Sequence, residues 1–175
     1  MDFSQTIFEA IDMRSFSNLW FWIALAVLWS TASHWVLGVP FDMVTRARRQ
    51  GGQAAEDVRD MVRVNINRLL YISDVSGLWL VGVVAFLLTG LAVLGWTYWV
   101  EFAQAVFLLA LPMTAVGALN VRTARIIFER VNDDADLYKR LARHRTIVQA
   151  IGMVAIFITA LWGMYMNLAA GRVAF

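Results

Sequence analysis

Thirteen of the fifteen Lys and Arg residues fall in two stretches, 40–75 and 121–145, and the long apolar runs flanking them carry almost none. This segregation predicts a membrane protein with four spans, at about 18–39, 77–100, 102–120 and 146–169. Each run supplies the roughly 20 mostly apolar residues that a helix needs to cross about 30 Å of hydrocarbon. Cytoplasmic loops collect Lys and Arg, so both basic segments are expected inside and both termini outside, in the periplasm of a bacterial inner membrane.

Composition supports one integral domain over 1–175. The chain is 60% hydrophobic with a mean hydropathy of +0.62, above the ~45–50% apolar content of soluble domains. Residues 2–16 are acidic and amphipathic, with no basic leader or small-residue cleavage site before the first apolar run, so that run is expected to be a retained span. The absence of cysteine excludes disulfides, thiolate metal sites and thiolate-held iron–sulfur clusters. With a formal charge of only +2 and acids mixed among the bases, neither loop is a pure polybasic patch for nucleic acid or anionic lipid, and no nucleic-acid partner is expected. Fourteen Arg against one Lys fits a GC-rich source.

In residues 2–16, Phe3, Ile7, Phe8 and Ile11 recur at helical spacing and Thr6 with Glu9 fits a capping box. The expectation is an interfacial helix. Trp20, Phe21 and Trp22 open the first span, and Gly38 with Pro40 closes it. From Gln53 onward Val58, Val62, Ile66 and Leu69 repeat at three and four, with Glu56, Arg59, Asp60 and Arg63 opposite, the pattern of an amphipathic helix. It leads into the second span, which ends on Trp96, Tyr98 and Trp99. A short connection at Glu101 makes spans two and three antiparallel neighbours, and Pro112 predicts a kink in the third. Beyond the third span, Asp133 or Asp134 is placed to cap a helix that carries Leu137, Leu141 and Val148 on one side and the ion-pair spacing Asp136 to Arg140. The fold class expected is all-α: a polytopic membrane four-helix bundle with helical cytoplasmic extensions and an N-terminal interfacial helix.

Polar groups at membrane depth are costly and therefore candidates for function. Three are singled out: His34, Asp74 and Gln149. His34 can be a proton relay or metal ligand, although a neutral imidazole hydrogen-bonded to a neighbouring helix is the simpler reading. Asp74 stands where the amphipathic helix meets the second span, in reach of Arg68 or of an Arg from the other loop. Gln104 and Gln149 lie inside spans three and four, where amides link helices. His34 and His144 differ in depth by on the order of 10 Å at 1.5 Å per residue, which opposes a shared haem. Met164 and Met166 are expected to pack rather than bind a metal. The chain carries no HExxH, GxSxG, P-loop or EF-hand pattern, so no catalytic, cofactor-binding or metal site is assigned.

The stretches Met13-Arg14-Ser15-Phe16-Ser17-Asn18-Leu19-Trp20, Ala32-Ser33-His34-Trp35-Val36-Leu37-Gly38-Val39-Pro40-Phe41-Asp42 and Arg48-Arg49-Gln50-Gly51-Gly52 resemble a family of small bacterial four-span membrane proteins of unassigned function, some labelled as a component of the SufBCD iron–sulfur assembly complex. A chain without cysteine cannot hold a cluster by thiolates. What the resemblance implies is membrane association with a soluble complex, docked on the cytoplasmic helices.

Two functions lead, with a membrane enzyme acting on lipid or quinone kept third. The first is a non-enzymatic accessory, scaffold or assembly subunit of a larger inner-membrane complex, touching lipids and another membrane protein or a second copy of itself. Arg59, Arg63, Arg125, Arg130 and Arg140 are its candidate contact residues, the alternative being a solvated face. The other is a small oligomeric transporter or channel with a polar path near His34.

Overall fold

The computed structural model describes residues 15–131 and 133–172. The interfacial helix expected over 2–16 lies outside them except for its last two positions, which belong to a 3-10 turn, Ser15–Ser17. The structure is about 92% helical. Among the described residues, α1 spans Leu19–His34, a two-stranded hairpin pairs β1 (Trp35–Val36) with β2 (Val39–Pro40), and α2 spans Phe41–Gln50. Three long helices follow: α3 (Gly52–Ala92), continued by a π turn at Val93–Thr97, then α4 (Glu101–Arg130) and α5 (Asp134–Arg172).

The long helices fuse what hydropathy alone divides. α3 runs 41 residues without a break from the amphipathic segment into the apolar one, about 62 Å at 1.5 Å per residue. Its N-terminal half follows the expected spacing: Val58, Val62 and Ile66 are buried, Leu69 is partly buried against the same core, and Arg59, Asp60 and Arg63 face outward. α4 passes through Pro112 without interruption, although the proline has no N–H to give the carbonyl one turn earlier. At the start of α5 the Asp133 carboxylate accepts a hydrogen bond from the Ala135 amide at 3.2 Å, which makes Asp133 the cap.

Two cores hold the helices together. At the basic end, Val36 and Val39 of the hairpin, Val44 and Ala47 of α2, Val58 and Val62 of α3, Ile127 of α4 and Leu141 of α5 form one buried cluster. Nearer the aromatic end, Leu25 and Trp29 of α1 pack with Val116 of α4 and with Val148 and Ala155 of α5. The apolar half of α3 belongs to neither cluster, and no residue in its most apolar stretch is buried. Three helices, α3 with its π turn, α4 and α5, are long and apolar enough to cross a membrane.

α1 is the exception. It is 16 residues long, about 24 Å, and stops at His34, five residues before the expected end of the first span at Val39. The cause is the hairpin. Leu37 (φ 50°) and Gly38 (φ 76°) occupy the left-handed region, as a two-residue turn of the primed type requires. The residue before Pro40 is also biased away from the helical region. The turn is tied to α3, because Asn65 Nδ2 donates to the Gly38 carbonyl at 3.1 Å, and a Cβ on Gly38 would sit 2.9 Å from that nitrogen. Gly38→Ala therefore combines a left-handed strain of roughly 1–2 kcal/mol with a steric clash, and Asn65→Ala loses one hydrogen bond worth about 1 kcal/mol. Unfolding in mild detergent is expected to show a loss for both variants, larger for Gly38→Ala; equal stability of Gly38→Ala and the parent would contradict the turn geometry.

Candidate functional site

At the basic end the N-terminal half of α3 faces the last turns of α4 and the first turns of α5. These elements border an open groove of about 660 Å³. Its apolar floor includes Val62, Ile66 and Leu137, and its rim carries Arg59, Asp60, Arg63 and Asp134. Glu56 and Asp133 also line it, so carboxylates outnumber arginines; two ion pairs form, Arg59 Nε lying 2.9 Å from Asp134 Oδ1 across the groove and an Arg63 Nη atom 3.0 Å from Asp60 on the same helix. Beside the Arg59–Asp134 pair, the Tyr138 hydroxyl is buried without a hydrogen-bond partner among the described residues. Burial, and then the Asp134 carboxylate, push its pKa up, so the phenol stays protonated.

The five arginines named as contact candidates do not gather into one patch. Arg59 and Arg63 rim the groove. Arg125 pairs with Asp74 of α3 at 3.1 Å, which selects the other-loop partner for Asp74 over Arg68. Arg140 pairs with Asp136 at 3.1 Å, one turn back on α5, as its spacing predicts. Arg130, at the end of α4, makes no ion pair among the described residues. Exposed pairs of this kind contribute ~0–1 kcal/mol each; they register the helices more than they stabilise them.

His34, Asp74 and Gln149 also stand apart. His34 is exposed at the end of α1, with Nε2 3.9 Å from Asp42 Oδ1 and its ring edge-on to Trp35. Asp74 is on the surface of α3, and Gln149 is half-buried on α5. None of the three lines the groove. Among the described residues no three His, Asp or Glu side chains converge as a metal site would require.

Two buried polar contacts escape sequence reasoning. His144 is 3% exposed, and its Nδ1 lies 3.0 Å from the Thr123 hydroxyl of α4. At the aromatic end Gln104 is fully buried. Its Nε2 donates to the Gly95 carbonyl in the π turn at 2.7 Å, and its Oε1 accepts from Trp162 Nε1 of α5 at 3.0 Å. Gly95 is needed there, because a Cβ would meet Gln104 Cγ at 3.0 Å. Close by, Phe16 N–H donates to Glu101 Oε1 at 2.8 Å and Trp22 Nε1 donates to the Phe16 carbonyl at 3.1 Å. Gln104 was visible as an interhelical amide, but its partner 58 residues away was not.

Comparisons with protein-family models, with curated proteins and with solved structures gave no match.

Burial holds the His144 pKa below its ordinary 6.5. Between the lowered value and 6.5 the unfolded chain binds a proton that the folded chain does not. The contribution of the neutral ring is therefore complete above pH 6.5 and is lost as the pH falls below it, by up to about 1.4 kcal/mol per pH unit. Unfolding measured from pH 7.5 to 5 is expected to show this loss in the parent and a smaller one in His144→Gln; identical pH profiles would mean that the imidazole is not desolvated.

Proposed function

We propose that the protein is a non-enzymatic accessory or assembly subunit of a larger bacterial inner-membrane complex. In this reading it is a four-span helical bundle, with the basic end in the cytoplasm and both termini in the periplasm. α3, α4 and α5 cross the bilayer fully. The shorter α1 crosses with the help of the 3-10 turn before it and the hairpin after it.

The observation that carries the proposal is the apolar half of α3. Leu78 is 88% exposed, Trp79 80% and Phe86 77%, and of the long helices only α4 lies beside this half. Leu78, Gly82, Ala85, Thr89 and Val93 form an exposed stripe along one side of the helix, and the space beside Gly82 is open. Helix association in lipid relies on close packing at small residues, because the hydrophobic effect does not drive it. A helix anchored at both ends and open along its middle presents such a surface to a neighbouring subunit. The transporter reading draws no such support, since it needs His34, Asp74 and Gln149 about a common path.

Two measurements test this. Because the chain has no cysteine, single-cysteine variants report topology directly. Tyr98→Cys is expected to react with a membrane-impermeant maleimide on intact cells, and Gln50→Cys only after permeabilisation; the opposite pattern overturns the orientation. Native mass spectrometry of the tagged protein, purified from its own membranes in mild detergent at low salt, is expected to give reproducible heteromeric masses. A homogeneous monomer or homo-oligomer would overturn the accessory role.

A further inference from the structure

A second cavity, about 200 Å³, opens between α4 and α5 on the side lined by Arg122, Thr123, Arg140, Arg143 and His144. Leu119 and Ile147 form its apolar side. Among the described residues no carboxylate lines it. Arg140 is engaged by Asp136 at 3.1 Å, whereas Arg122 and Arg143 make no ion pair among the described residues. The cavity therefore carries two uncompensated guanidinium charges, one from each helix. Beneath them the Thr123 hydroxyl and the His144 ring, 3.0 Å apart, give it a polar floor, and His144 is held there at 3% exposure.

Size and position select the ligand. The volume is several times the ~30 Å³ that one water takes up in the liquid, and below the roughly 300–1,000 Å³ of pockets for drug-sized molecules. It suits a tetrahedral anion. Guanidinium groups recognise phosphate oxygens in bidentate pairs. Leu119 and Ile147 are where the apolar runs of α4 and α5 end, and Arg122 and Arg143 lie about one turn beyond them. In a bilayer that is the level of the inner-leaflet phosphates, where basic pockets between helices take anionic headgroups.

We propose that the cleft between α4 and α5 is a binding site for the headgroup phosphate of an anionic phospholipid, gripped by Arg122 and Arg143 over a Thr123–His144 floor, with the acyl chains descending past Leu119 and Ile147. The proposal rests on the membrane placement given above but not on the accessory role, since binding is read on the isolated chain. A failed partner search leaves it standing.

The test is thermal unfolding and native mass spectrometry of the full chain in mild detergent, with phosphatidylglycerol, phosphatidylcholine or inorganic phosphate added. Phosphatidylglycerol is expected to raise the unfolding temperature and to survive as a bound adduct, with phosphatidylcholine and inorganic phosphate giving little of either. The double variant Arg122→Gln, Arg143→Gln is expected to bind phosphatidylglycerol at least tenfold more weakly. Arg122→Lys, Arg143→Lys keeps the charges and the fold and is expected to fall between. Arg130→Gln, which removes a cation outside the cleft, is expected to bind like the parent. An equal response to inorganic phosphate would make this a free-anion site and overturn the lipid assignment. Unchanged affinity in both double variants, or no preference for phosphatidylglycerol, would overturn the site itself.

Discussion

The carboxamide of Gln104 fixes the aromatic end of the molecule. It donates to the π turn after α3 and accepts from Trp162 of α5, so one side chain of α4 registers both neighbouring helices. In a hydrocarbon-like setting each such bond contributes only ~0.6 kcal/mol on average. Its larger effect is on alternatives: a shift in register would leave buried amide groups unpaired, at roughly 1–3 kcal/mol each. Around it Trp96 packs edge-on to Phe107 and tilted against Trp162, and the Glu101 carboxylate accepts from the Phe16 amide. The basic end is fixed differently, by the shared apolar cluster of the hairpin, α2, α3, α4 and α5.

These two anchors explain why α3 is open along its middle. Its N-terminal half is held by Val58, Val62 and Ile66 in the core at the basic end, and its far end by the π turn against Gln104. Among the described residues nothing buries the stretch between, so Leu78, Trp79 and Phe86 are exposed to contact another molecule. Of the five arginines offered as contacts, by contrast, four are engaged internally. Arg59, Arg63, Arg125 and Arg140 each have a carboxylate partner within the chain. The lateral apolar face is therefore the better candidate for a subunit contact than the arginines that the sequence offers.

Elements governed by local periodicity were legible in the sequence. The alternation of Val58, Val62 and Ile66 with charged neighbours predicts the buried face of α3, and Leu137, Leu141 and Val148 do the same for α5; all six are buried. Asp136 to Arg140 and the cap at Asp133 are local as well. The hairpin was not legible, because Trp35 to Val39 continues an apolar run in which helix and strand periods give the same signal. Its existence turns on positive φ at Leu37 and Gly38 and on a hydrogen bond from Asn65, 27 residues away. The candidate sites were the least legible. His34, Asp74 and Gln149 are grouped only by their expected membrane depth, and residue type gives no information about which helix faces another. His144 became informative only once the α4–α5 packing placed it against Thr123 and beside Arg122.

The central claim is that the apolar half of α3 meets another protein in the native membrane. The most direct measurement is site-specific photo-crosslinking there, with a photoreactive residue placed at Phe86 and, as a control on a buried face, at Val62. The account predicts a discrete protein adduct of reproducible mass from position 86 and only intramolecular products from position 62. If position 86 yields lipid adducts alone, this face is solvated by the bilayer and the subunit account is wrong.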